Sequence, residues 1–297
     1  MHVNYRDWQP TCDTLHAHSQ VLGKIATKLA PPEPQLQHAA LRLTARGMET
    51  LPLPAPNGPG AFVVALDLHR HEVAVEHGDG RERRVPLTPN RSVAEVTRDV
   101  LAAVRELAGA VEISMTPQEV PWTAPLDEDI EHAAYDTAAV KAYFADATRA
   151  ALVLAAVRAP YRGRSTPVNM WWGSFDLAVS IFSGRAADPP SADFIWRNAG
   201  DAQQIELGWW PGDQRYGKAA FYGYAYPPPD GFAHAKLSPD QARWDDMLGE
   251  YILDMDDVAA GADAEEFCHS VTQHACTVCS WDPALAGSLE GSPPPVS

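Results

Sequence analysis

The spacing of apolar positions along this chain changes period several times, and each change predicts an element. Leu15, Leu22, Ile25 and Leu29 fall on one stripe at helical spacing. The pattern predicts a helix from Asp13 or Thr14, both competent N-caps, to about Leu29, where Pro31-Pro32 stops it. Residues 39–45 alternate as a strand, with Leu41 and Leu43 on one face and Arg42 and Thr44 on the other. Proline and glycine make 51–60 a loop. Strands follow at 62–68, 72–76 and 81–87, the last two joined through His77-Gly78-Asp79-Gly80, whose Asp-Gly is a hairpin signal. Ser92 and Glu95 form a capping box ahead of a helix to about Ala108. Residues 111–115 read as a short strand.

The segment Pro117 to Pro125 reads as a joint between two lobes. An alanine-rich helix then runs from Asp136 or Thr137 to about Arg158, apolar on more than one side and so packed from several directions. Residues 167–183, 203–210 and 219–226 are aromatic and strand-like. Pro239 opens a helix through about Leu253, and a last helix covers 262–279. The tail from Gly287 is too polar and proline-rich to pack. Strands and helices come in blocks, which predicts an α+β fold with largely antiparallel sheets flanked by helices. The expected organisation is an N-terminal lobe at 1–116, an aromatic-rich lobe at 117–285, a cleft between them, and a disordered tail at 286–297.

Composition narrows the partners. The chain has 297 residues, 45% of them apolar, with 39 acidic against 23 basic side chains and a net charge of −16. That balance argues against nucleic acid and against an anionic membrane surface, both of which attract basic chains. Four cysteines do not make a disulfide scaffold. With no membrane-length apolar run and no signal-peptide character at the N-terminus, the expectation is an acidic, soluble, cytoplasmic protein. No glycine-rich phosphate loop follows a strand, so no nucleotide cofactor is assigned.

The aromatic residues are unevenly placed: residues 171–226 hold five Trp, four Tyr and four Phe, half of the chain's aromatics. Tyr222, Tyr224 and Tyr226 fall at alternate positions of one strand and so share a face. A tyrosine-lined sheet face beside a few charges suits the wall of a ligand cleft; the competing reading is an aromatic core whose hydroxyls find backbone partners.

Several strings also resemble a known family. They are Thr14-Leu15-His16 with Gln20 and Gly23-Lys24; Thr44-Ala45-Arg46-Gly47; Trp172-Gly173-Ser174-Phe175-Asp176-Leu177-Ala178 with Ser183-Gly184-Arg185; Trp210-Pro211-Gly212; and Phe221-Tyr222 with Tyr224-Ala225-Tyr226-Pro227. Over about residues 8–283 the chain resembles an uncharacterised bacterial domain-of-unknown-function family. The resemblance implies an architecture and a residue set but no reaction. It also implies histidine at the position of Asn169 and a His-Glu pair at Ala202-Gln203, so any metal or proton chemistry those groups carry in relatives is lost here.

His16, Gln20 and Lys24 lie at i, i+4 and i+8, a polar stripe that faces either a cavity or solvent. Asp67, His69 and His71 alternate and would share a strand face as metal ligands, unless a turn at 68–70 breaks it. The cluster Cys268-His269, His274, Cys276 and Cys279 contains a C-x-x-C, but it sits on a helix with no second pair, so no metal site is assigned. There is no G-x-S-x-G elbow, and Ser174 reads as a turn or strand residue.

These readings converge on a small organic molecule, anionic or ring-bearing, held in an aromatic cleft. His16 is the expected proton carrier, with Asp176 or Glu206 as partner. Gln20, Lys24, Arg46, Trp172, Arg185, Trp210, Tyr222 and Tyr224 are expected to bind the ligand, the two arginines gripping an anionic group. The alternative is a non-catalytic binding or protein-interaction module with an aromatic core. The oligomeric state is left open.

Overall fold

The computed structural model describes residues 2–291. Its helices are α1 Tyr5–Leu29, α2 Val93–Leu107, α3 Thr137–Arg158, α4 Phe194–Ala199, α5 Met255–Ala259, α6 Ala264–Val278 and α7 Pro283–Ala286. Strands β1 Arg42–Thr44, β2 Gly47–Glu49, β3 Leu53–Pro54, β4 Ala61–Asp67, β5 Glu72–His77 and β6 Glu82–Pro86 make the first sheet. Strands β7 Asn169–Trp171, β8 Asp176–Ala186, β9 Ala202–Trp210, β10 Ala220–Tyr226, β11 Arg243–Asp245 and β12 Glu250–Asp254 make the second, in the order β11-β12-β10-β9-β8-β7. Every strand pairing is antiparallel, and the fold is α+β.

Local sequence explains most of these boundaries. Ser92 accepts from the Glu95 N–H while Glu95 reaches back to the Ser92 backbone, so the capping box starts α2 as its sequence predicts. Helix α1 begins earlier than expected, at Tyr5. Asn4 and Asp7 cap it, and Trp8 leaves helical geometry two residues before Pro10, whose ring interferes with the preceding turn. The central part of α1 is buried nearly all round, including Thr11, Asp13, Thr14, His16, Ser19 and Gln20.

Four expectations are corrected. Residues 111–115 form no strand: among the described residues they pair with no strand, and one backbone bond reaches them, from Leu126 N–H to the Met115 carbonyl at 2.9 Å. The helix expected from Pro239 to Leu253 is instead the hairpin β11–β12. Strand β12 pairs with β10, and this buries Tyr251, Ile252 and Leu253, a gain that a solvent-facing helix would not give. The 39–45 strand is shorter, turning at Ala45-Arg46 into β2. The tail packs at its start: Gly287–Glu290 form a 3-10 turn with Leu289 buried. Residues 292–297 of that expected tail lie outside the described residues.

In the second sheet the two faces divide cleanly. Val179 and Ile181, Leu207 and Trp209, Phe221, and Tyr251 and Leu253 point to one face and join the main core, which α3 and α6 cover. That core is continuous through α1 to the first sheet, reaching Leu22, Val64 and Val100. A β-bridge between Leu41 and Met170 ties the sheets directly, at 3.0 and 2.9 Å. Among the described residues, no helix layer lies across the opposite face of the second sheet.

A cavity on the open face of the second sheet

Strand alternation writes the composition of that open face. Side by side across β8, β9 and β10 stand Ser180, Glu206 and Tyr224, then Ala178, Gly208 and Tyr222 in the next row. Strand β12 adds Ile252 opposite Tyr222, with Glu250 two residues away on the same face. The face is therefore carboxylates, hydroxyls and aromatic rings, with alanine and glycine where the rings need room. A Cβ on Gly208 would lie 2.2 Å from the Tyr222 ring, so only glycine lets that ring lie over β9.

Over this floor lies a cavity of about 920 Å3, within the usual range for small-molecule sites. Its walls come from α1, the 3-10 turn Pro34–Ala39, the 118–122 loop, the 171–176 turn, α4 and the 212–215 loop. Phe194 and Trp196 of α4 stand at the rim, 53% and 39% exposed. The 117–125 stretch, expected as a joint, has no regular structure and supplies Gln118 to Trp122 to the wall.

Of the residues expected to form the site, His16, Trp172, Asp176, Glu206, Trp210, Tyr222 and Tyr224 line this cavity. Tyr222 and Ser174 both donate to the buried Asp176 carboxylate. Burial alone would push the Asp176 carboxyl up, and these two donors work against that shift. Ser180 Oγ donates to Glu206 Oε2 at 2.8 Å, and Tyr224 stands beside Glu206 on the neighbouring strand. Burial and the neighbouring Asp176 raise Glu206 to about 7. Burial, then Glu206 and Asp176, raise Glu250 to about 8.

His16 is held differently. Its Nε2 donates to the carbonyls of Trp172 and Gly173, both at 3.0 Å, and its ring stacks on Phe175 with centroids 4.8 Å apart. Burial lowers it to about 4, so it is neutral at pH 7 and fixes the 172–173 turn.

Gln20 and Lys24 stand behind the wall. The Gln20 amide makes a two-way bridge to the Gln118 backbone, 2.9 Å each way, which anchors the 118–122 loop. Lys24 Nζ lies 5.3 Å from the centre of the Trp172 ring. The two arginines expected to grip an anion are elsewhere. Arg46 is paired with Glu49 and Glu76 on the first sheet, at 2.7 and 3.0 Å. Arg185 donates to the carbonyls of Cys279 and Ser280, at 3.3 and 2.9 Å. The first sheet offers Arg46 carboxylate partners, and the end of α6 offers Arg185 free carbonyls, so neither side chain reaches the cavity.

The expected metal candidates are also dispersed. Strand β4 ends at Asp67, whose Oδ1 caps the next turn by accepting from the N–H groups of His69 and Arg70, at 3.0 and 2.8 Å. His69 turns to the Ala45 carbonyl and His71 to the Tyr135 hydroxyl. Cys268 and Cys276 are buried on α6, and His274 bonds the Phe232 carbonyl at 2.9 Å. Among the described residues no group of three or more His, Cys, Asp or Glu side chains is placed to hold a metal ion. Asn169 donates to Gln37 at 2.8 Å, while its Oδ1 and the Oε1 of Gln203 are buried without partners.

Sequence reasoning missed Asp13, Glu119 and Glu250. Asp13 reads as a helix cap and Glu119 as linker, and Glu250 fell in the mistaken helix. The signal for Glu250 is Gly249 before the alternation Glu250-Tyr251-Ile252, which marks a hairpin rather than a helix.

With this geometry in place, the comparison with known families gives one match, over residues 1–288. The chain belongs to a family of unknown function, DUF5996. No curated protein and no solved structure matches it. No helix among the described residues is long and apolar enough to cross a membrane.

Proposed function

We propose that this DUF5996 protein binds a small, ring-bearing organic molecule in the cavity over its second sheet and moves a proton on it with Glu206. The observation that carries the reading is the division of that sheet. One face is sealed by helices, and the other presents aromatic rings and carboxylates to a concave space instead of to a partner surface. Trp172, Trp210 and Tyr222 bring aromatic surface to the cavity wall, and Ser180 holds the Glu206 carboxyl through its hydroxyl. A carboxyl whose proton affinity sits near neutrality exchanges a proton with a substrate at little cost in either direction. Asp176 serves to position Tyr222, and His16, committed to two carbonyls, positions the 172–173 turn.

Native mass spectrometry of the purified protein, after incubation with a small-molecule extract, tests the reading. Wild type is expected to retain a small molecule that a Trp210→Ala/Tyr224→Ala variant does not. Equal retention by both would place the ligand elsewhere and sink the proposal. Conversion of the retained molecule by wild type and not by Glu206→Gln supports the proton transfer. Retention without conversion by either protein leaves a binding module.

A further inference from the structure

The charge around the cavity is one-sided. Among the described residues, Asp13, Glu119, Asp176, Glu206, Asp213 and Glu250 line it, against one guanidinium, Arg215, which is already paired with Asp213 at 2.8 Å. His16 is neutral, and Lys24 lies behind the Trp172 ring. A second observation points the same way. Gln35 lines the cavity and is 6% exposed; its amide nitrogen bonds Asp201, but its Oε1 is buried with no donor. An orphaned buried acceptor is costly, and a ligand N–H relieves that cost.

We infer that the cavity takes an organic ammonium ion, a protonated primary or secondary amine carried on a flat or ring-shaped apolar body. This rests on the cavity being the ligand site. An ammonium beside Glu206 and Glu250 favours their ionised forms and is attracted by them in turn, and its N–H groups supply the donor that Gln35 Oε1 lacks. The aromatic side chains of Trp172, Trp210 and Tyr222 on the cavity wall attract cations and pack against the body. An anionic ligand would meet the carboxylates unshielded. A quaternary ammonium would balance the charge but bring no N–H. A bare metal ion lacks a set of three ligands among the described residues.

The amine's charge and its N–H donors are separable in a binding experiment. Isothermal titration and thermal-shift measurements would compare phenethylamine and tryptamine with their N-acetylated forms and with indole-3-propionate. At least one free amine is expected to bind and raise the melting temperature, with its acetylated form weaker by about tenfold or more, since one charge-assisted contact is worth that much. The Glu206→Gln/Glu250→Gln variant should lose the preference for the free amine. Acetylated or carboxylate probes that bind as tightly as the amines overturn the charge assignment while leaving the cavity as a ligand site. No binding by any probe overturns both. Should the double variant fail to fold, the wild-type comparison of amine with acetylated amine decides by itself.

Discussion

At the residue scale, the cavity floor depends on side chains that occupy each other's space and share each other's protons. Tyr222 lies over Gly208 and, together with Ser174, donates to the buried Asp176 carboxylate. Tyr222→Phe is therefore expected to lower stability by about 1–3 kcal/mol, the cost of leaving a buried acceptor short of a donor. Tyr224→Phe should cost less, within about 0.5–1.5 kcal/mol, because Glu206 is only half-buried and keeps Ser180. Chemical denaturation of the two variants checks the order, and a larger loss for Tyr224→Phe would contradict it. Gly208→Ala meets the Tyr222 ring at 2.2 Å. The variant should be destabilised by about 1–3 kcal/mol, as overpacked sites are. The Gly208→Ala/Tyr222→Ala pair should recover part of the Gly208→Ala loss relative to Tyr222→Ala alone, and the same denaturation series measures this.

Elements follow local signals where those signals are strong, and yield to pairing where they are weak. The capping box at Ser92 and Glu95 gives α2 its start without help from afar. Ser92→Ala should cost about 0.5–2 kcal/mol. A thermal melt that does not move would show that α2 is held by packing alone. The hairpin β11–β12 is the opposite case. Pro239 looks like a helix start, yet β10 would otherwise expose its outer edge, and the apolar run Tyr251-Ile252-Leu253 fits a half-buried strand better than a surface helix. The 118–122 loop has no regular structure, but the Gln20 amide bridge fixes it where it walls the cavity.

Across the whole molecule, buried titratable groups pull stability in opposite directions with pH. Glu206 and Glu250 have their proton affinities raised, to about 7 and about 8. The folded chain therefore holds more protons than the unfolded one above the ordinary carboxylate range, and this contribution is lost as pH rises through 7 to 8. His16 and His18 are lowered by burial to about 4 and about 3. Their contribution is present above the ordinary histidine range and is lost as pH falls through 4 to 3. Above pH 6.5 the glutamates dominate. The melting temperature should fall between pH 6.5 and 8.5, and Glu206→Gln/Glu250→Gln should flatten that fall. An unchanged slope in the variant would remove these two groups as its source.

How much of this was legible in the sequence follows from the range of each interaction. The α+β class, the first-sheet meander, α2, α3 and α6 rest on period, caps and turn residues within a few positions of each other, so the chain declares them locally. The shared face of Tyr222 and Tyr224 is equally local, because strand alternation requires it. That the open face would carry Glu206 and Asp176 beside them needed the strand register, which no single segment contains. Arg46 and Arg185 looked like anion grips because guanidinium groups suit anions, but their partners were decided by distant residues: Glu76 two strands away from Arg46, and the end of α6 beside Arg185. Glu250 entered the site only because β12 pairs with β10. The sequence by itself determined which residues alternate, cap and turn, since those preferences act over one helical turn or one strand. Tertiary structure alone decided which carboxylates share one cavity and which cations are kept out of it, because proximity between segments far apart in the chain sets both the charge and the proton affinity of that site.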